Sequence, residues 1–196
     1  MFIDGGGFIG DSLLVFQKYE PSKVIIFEPA PENIKLMERT IQLNRLDPSR
    51  VVIVKAGLSN KEHKAIFYVD KRNSGGSTCE FELKERGCHS YEIELTSLDT
   101  FCEKNREIFR DRAIRLIKLD IEGAELKAVE GAIKTIRENR PILLISIYHK
   151  PEDFFFIKPL LDQKVENYRY FIRKFAPNFP TLETYLIGVP GELFSK

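Results

Sequence analysis

Met1-Phe2-Ile3-Asp4-Gly5-Gly6-Gly7-Phe8-Ile9-Gly10-Asp11 opens the chain, and its reading decides the fold. An apolar lead-in ends in a carboxylate, and a run of glycines follows. Residues 11–19 then read as helical. Val24-Ile25-Ile26-Phe27 ends in a second carboxylate, Glu28. Two strands that each close on an acid, with glycines after the first, describe a nucleoside-binding cleft. Glycine backbone approaches a ligand closely because no Cβ stands in the way.

Outward from this stretch, strands alternate with helical patterns. That alternation predicts an α/β fold: a mostly parallel sheet with helices on both faces. Pro31 is placed to start a helix with Ile34, Met37 and Ile41 on one face. Residues 51–54 form a third strand, and residues 56–60 a loop at its end. Residues 65–69 and 91–95 interrupt the alternation as an inserted hairpin or an extended loop near the site. The polar segment 73–78 between them is either a flap over the ligand or a plain loop. A short helix over 99–104 precedes the strand Leu116-Ile117-Lys118-Leu119, which ends in Asp120. Leu126, Val129, Ile133 and Ile136 sit at helical spacing and predict one helix over 125–139. The apolar run 142–148 suits a central strand, and Phe154-Phe155-Phe156 reads as core with one exposed ring. Residues 168–174 and 183–189 are joined too briefly for a crossover, so this C-terminal pair should be antiparallel.

The 196 residues fit one domain over 1–196, with 43% hydrophobic and 30% charged residues. A net charge of +1 supplies no field that favours nucleic acid or an acidic membrane. A small-molecule substrate is therefore the expected partner, with no nucleic acid and no membrane; oligomeric state is left open. No apolar run approaches the roughly 20 residues a membrane helix needs. Cys79, Cys88 and Cys102 are odd in number and widely spaced, which fits a reducing cytoplasmic setting.

Ligands of open α/β sheets lie beyond the carboxyl ends of the strands. Here those ends carry Asp4, Glu28, Gly57, Asp120 and His149. The spacing Gly5-x-Gly7-x-x-Gly10, with Glu28 further on, matches the dinucleotide fingerprint, so an NAD-dependent oxidoreductase is one reading. Asp4 argues against it, because a carboxylate there repels a pyrophosphate. The paired terminal strands also fit a methyltransferase sheet better. S-adenosylmethionine offers an ammonium, a ribose diol and a sulfonium instead. On that reading the cofactor residues are Asp4, Gly5, Gly6, Gly7, Phe8, Ile9, Glu28, Pro29, Gly57, Leu58, Ser59 and Asp120. Asp4 takes the ammonium, Glu28 the ribose hydroxyls, and Gly57-Leu58-Ser59 lies near the adenine. Glu28→Ala is then expected to weaken cofactor binding and leave the fold intact.

Asp4 to Asp11, then Phe27-Glu28-Pro29, then Lys118-Leu119-Asp120-Ile121-Glu122-Gly123-Ala124-Glu125 resemble the successive motifs of the FkbM-type methyltransferase family. Ser97-Leu98-Asp99 and Glu183-Thr184-Tyr185 resemble it too, and the third motif is the most specific. The resemblance covers nearly the whole chain. It implies a class I Rossmann-like fold, S-adenosylmethionine as donor, and O-methylation of a hydroxyl on a sugar or natural product. Members of that family commonly carry more chain before the first strand, so the expected lid elements would lie upstream of Met1. A truncated, non-catalytic nucleoside-binding domain is the alternative.

The catalytic candidates are Asp120, Glu122 and His149. An alcohol is far less acidic than any carboxylic acid, so its proton must leave as the methyl transfers, or a metal must help. His149 titrates near neutrality and could take that proton. Asp120, Glu122 and Glu125 could hold Mg2+ through oxygens, though acids also favour a helix N-terminus without any metal. No metal site is assigned. His63 and His89 read as solvated loop residues, and Cys79, Cys88 and His89 lack zinc spacing.

Overall fold

The structure is a computed structural model and describes residues 1–69, 89–110, 112–176, 178 and 182–194. The segment 73–78, Cys79, Cys88, Pro177 and Pro180 lie outside these residues. The chain runs β1 (Phe2–Gly5), α1 (Asp11–Phe16), β2 (Val24–Phe27), α2 (Pro31–Leu43) and β3 (Val51–Val54). A smaller unit follows, with β4 (Gly57–Leu58), β5 (His63–Val69) and β6 (His89–Thr96). Then come α3 (Leu98–Lys104), α4 (Arg106–Phe109), β7 (Leu116–Leu119), α5 (Glu125–Glu130) and α6 (Ile133–Asn139). The last elements are β8 (Ile142–Ser146), α7 (Pro151–Lys164), β9 (Tyr168–Lys174) and β10 (Thr184–Pro190).

The main sheet has seven strands in the order β3-β2-β1-β7-β8-β10-β9. The pairs from β3 to β8 are parallel, while β10 is antiparallel to both neighbours. This is the mostly parallel sheet with an antiparallel C-terminal strand and helices on both faces expected from the sequence. Strand order reverses between β1 and β7, and such a switch point opens a crevice beyond the strand ends.

Period-two alternation divides each strand between two cores. Ile3, Ile25, Phe27, Ile117, Leu119, Leu143 and Ile145 face one side and pack with Leu98, Val129, Ile136, Ile157 and Leu161 from α3, α5, α6 and α7. Val24 and Ile26 face the other side, against Leu13 and Phe16 of α1 and Met37 and Ile41 of α2. On α7, Asp153, Ile157 and Leu161 form the buried stripe at four-residue spacing. The Phe154, Phe155 and Phe156 rings fall outside it, so all three are exposed rather than one.

The structure corrects three other expectations. The helix over 125–139 is two helices, α5 and α6, broken at Gly131–Ala132. A Cβ on Gly131 would come within 2.2 Å of the Ser59 carbonyl oxygen, so the chain just after β4 presses on the helix there. The break exposes fresh backbone donors, and Ala132 has no side-chain acceptor for them. Asp99 supplies it from another element, accepting from Lys134 N at 3.1 Å and Thr135 N at 2.8 Å. Ser97 meanwhile caps its own helix α3 by accepting from Thr100 N. Second, residues 57 and 58 are strand rather than loop, because β4 pairs parallel with β6 at Gly57↔Leu95 and Leu58↔Thr96. Third, His63 and His89 open strands β5 and β6 rather than sitting in loops; these strands pair antiparallel as the expected hairpin.

Asp99→Ala is expected to cost about 1–2 kcal/mol through the lost cap. Urea unfolding should show a lower midpoint at an unchanged slope.

Candidate active site

β1 and β7 run in register, with Asp4 opposite Lys118 at their C-terminal ends. Asp4 is fully buried, and its Oδ1 accepts from Lys118 Nζ at 2.9 Å. The same ammonium donates to the Gly6 carbonyl at 3.3 Å. Burial pushes the Asp4 carboxyl above its ordinary range, and the Lys118 charge pulls it back. Burial also works against the Lys118 ammonium, but the Asp4 and Asp120 carboxylates outweigh it and hold the lysine charged. The two directions pull the pair apart; the short contact supports the ionised form of both.

Above this pair the chain turns through Gly6 with φ +82. A Cβ there would come within 1.9 Å of the Asp120 carbonyl oxygen, so only glycine brings the turn against the tip of β7. Phe8 is also left-handed, with φ 44, and its N–H donates to Glu28 Oε2 at 2.8 Å. Glu28 Oε1 accepts from Ala30 N at 2.9 Å and Asn33 Nδ2 at 3.3 Å. Glu28 therefore ties the glycine turn to the segment after β2. Burial raises its pKa, against the pull of these donors. Each carboxylate oxygen keeps acceptor capacity beyond the bonds it makes.

The acids after β7 converge on His149. His149 Nδ1 lies 2.8 Å from Glu125 Oε1, and Nε2 lies 3.6 Å from both Asp120 Oδ1 and Glu122 Oε2. Glu125 is fully buried and accepts from the backbone N–H groups of Ile121 and Gly123, each at 2.8 Å. An acceptor on Nδ1 fixes that nitrogen as the donor and leaves Nε2 as the basic one in neutral imidazole. Burial disfavours the imidazolium, but the hydrogen bond and charge of Glu125, with Glu122 and Asp120, raise its pKa overall. Glu122 is pushed up to about 7 by burial, partly offset by His149. Asp120 accepts from Ser146 Oγ at 2.6 Å, and the Tyr185 hydroxyl lies 3.0 Å from its other oxygen. Behind Glu125, Asp153 is buried on α7, and burial and the Glu125 charge raise its pKa to about 6.

A cavity of about 720 Å3 joins these features. Gly6, Phe8, Glu28 and Pro29 line one part of it, and Gly57, Leu58 and Ser59 another. Asp120 and Glu122 line the end beside His149. Asp4, Gly5 and Gly7 are buried beneath the turn and stay off the wall, as does Ile9, whose carbonyl accepts from Thr40. His149 stands just behind the wall, between the lining residues Tyr148 and Lys150. Asp4 and Glu28 thus flank one crevice, but Asp4 reaches it through Lys118, which lines the cavity.

Sequence reasoning missed Lys118, the Glu125 contact to His149, and the wall made by Ala65, Phe67, Ile93 and Leu95 of the small sheet. Tyr185 lay within a quoted motif without a role. Asp120, Glu125 and His149 present one ligand atom each within 4.8 Å of one another. Glu125 and Asp120 already accept from the donors above, and with His149 they form a hydrogen-bonded acid–base cluster.

The family model described as Methyltransferase FkbM domain matches residues 4–178. Methyltransferase 1 of Beauveria bassiana (strain ARSEF 2860) is 24% identical over 179 residues, 83% of this chain and 70% of that protein. The crystal structure of Methyltransferase FkbM from Methylobacillus flagellatus KT aligns with a TM-score of 0.71 at 22% identity, over 95% of this chain and 42% of that chain. The chain thus spans less than half the length of that solved relative. The N-terminal domain of human METTL16, in complex with SAH, aligns with a TM-score of 0.54 at 13% identity, over 97% of this chain and 60% of that chain. Likeness at these identities bears on the fold.

The Glu28 contacts add a stability cost to Glu28→Ala beside the expected loss of cofactor binding. Removing the carboxylate strands the Phe8 and Ala30 donors, and stability should fall by about 1–3 kcal/mol in urea titrations.

Proposed function

The chain belongs to the FkbM methyltransferase family, and from that premise we propose that it methylates a hydroxyl of a small molecule, with S-adenosylmethionine as cofactor and His149 Nε2 as proton acceptor. The observation that carries this reading is the orientation of His149. Its Nδ1 is engaged by Glu125, and its Nε2 faces the two carboxylates at the end of the cleft.

The residues present fit the cofactor. The Gly6 turn has no room for a side chain, and Glu28 offers two carboxylate oxygens beside it for a ribose diol. Pro29, Leu58 and Leu95 give an apolar wall suited to a base. The N-terminal domain of human METTL16, which shares this fold, is in complex with SAH, and that supports S-adenosylmethionine as the class of cofactor. When bound, S-adenosylmethionine supplies an electrophilic methyl group.

The chain's own residues then have two tasks. The first is alignment, which brings an acceptor oxygen between the glycine turn and His149. Asp120, held by Ser146 and Tyr185, and Glu122 beside it, are placed to accept hydrogen bonds from that acceptor. The second is proton removal. A carboxylate of ordinary pKa is a weak base for an alcohol. His149, raised by its acidic neighbours, and Glu122 at about 7 are better matched to neutral solution. A sugar or natural-product hydroxyl is the acceptor class proposed here.

Incubation with methyl-labelled S-adenosylmethionine and separate pools of hydroxylated small molecules and RNA tests the acceptor class. Label recovered as a methyl ether in a small molecule supports the reading, and label confined to RNA defeats it. His149→Ala should lower kcat by about 100- to 10,000-fold without changing the Kd for S-adenosylhomocysteine. The base works unprotonated, so kcat should rise with pH through a limb above the ordinary histidine value of about 6.5. Glu122→Gln removes one carboxylate that favours the imidazolium, so the limb should move to lower pH.

A further inference from the structure

We propose that Lys118 receives the carboxylate of the cofactor's amino-acid end, with Asp4 as the residue that positions Lys118; this rests on the S-adenosylmethionine reading above. An amino-acid tail carries an ammonium and a carboxylate. The crevice beside the glycine turn is lined by the carboxylates of Asp11, Glu28 and Asp120. Those acids favour the ammonium and repel the carboxylate, so a tail seated there needs a cation.

Lys118 is that cation. Its side chain is 13% exposed, it lines the cavity, and its Nζ lies 3.3 Å from the Gly6 carbonyl oxygen of the turn. An ammonium has three donors. The bonds to Asp4 Oδ1 and the Gly6 carbonyl use two and leave one to point at a ligand. Lys127 and Lys150 also line the cavity, but they belong to α5 and to the chain after β8, and Lys150 Nζ donates to the Gly123 carbonyl. Neither makes the Lys118 contact to the glycine turn.

The pairing also explains why so costly a group stands inside a parallel sheet. An isolated lysine at this depth would lose its charge. Asp4 opposite it in register prevents that and fixes the flexible stem. Asp4 itself is fully buried, so it acts through Lys118 rather than by touching the ligand. The tail is thereby distinguished from nucleosides that lack it.

Calorimetry on the intact chain tests this with three ligands: S-adenosylhomocysteine, its α-carboxyl methyl ester, and 5′-methylthioadenosine, which has no tail. Wild type should bind the ester and methylthioadenosine about ten- to hundredfold more weakly than S-adenosylhomocysteine. In Lys118→Met the affinity for S-adenosylhomocysteine should fall towards that of the ester, while methylthioadenosine is held within about twofold. Lys118→Arg, which keeps the charge beside Asp4, should lose less of the preference. If Lys118→Met does not fold, Asp4→Asn reads the same ratio, since a loosened Lys118 should narrow it. Equal wild-type affinity for the acid and its ester overturns the assignment, as does a full preference surviving in Lys118→Met. Binding that shows no carboxylate preference defeats Lys118 alone; no binding of any of the three defeats the cofactor reading with it.

Discussion

The glycine turn after β1 lies against the tip of β7 with no room for a side chain: a Cβ on Gly6 would meet the Asp120 carbonyl oxygen. The functional geometry depends on that approach. It brings the residues after β1 beside the acids after β7, on the wall of one cavity. Parallel strands that meet at a switch point open a crevice there in any case. The missing side chain at Gly6 is what lets backbone from two strands form one wall of it. Substituting any larger residue would separate the two halves of the site before it disturbed either core.

Charge follows from the same layout. The segments after β1, β2 and β7 line the crevice, and the carboxylates of Asp11, Glu28, Asp120 and Glu122 are among the lining residues. Burial pushes the carboxyls of Asp4, Glu28 and Glu122 above their ordinary range. Lys118 beneath the turn pairs with Asp4, and His149 stands among the acids after β7. A cleft lined by several carboxylates favours a ligand that carries positive charge.

Much of this was legible in the sequence, and the boundary of legibility is physical. Glycines flanked by strand-ending acids are local patterns, and Asp4, Glu28 and Asp120 could be picked out from neighbours a few residues away. The antiparallel last pair followed from a short connection. Lys118 was not legible in that way. Within Leu116-Ile117-Lys118-Leu119 it looks like the outward residue of an alternating strand, and only its register partner Asp4, 114 positions away, gives it a purpose. The break at Gly131 is likewise a tertiary event, because helical spacing continues across it and only the pressing loop interrupts the turns. Ser97-Leu98-Asp99 could be read as part of a family pattern, but not that Asp99 would cap a helix beginning 34 residues later. Exposure of the three phenylalanines on α7 was hidden by their hydrophobicity, since the buried stripe there begins with an aspartate.

Glu125 shows how closely structural and chemical roles are joined at this site. The turn from Asp120 to Glu125 holds Glu122 at φ 54 and Gly123 at φ 91. Left-handed backbone at a non-glycine residue persists only where surrounding bonds fix it. Glu125 supplies them by accepting from Ile121 N and Gly123 N, and with the same carboxylate it orients His149. Removing Glu125 would therefore release the turn that aims Glu122 as well as the imidazole. Lost activity in such a variant would report both effects together. His149 itself bonds through Nδ1 to a side chain rather than to backbone, so its substitution separates proton transfer from the architecture that supports it.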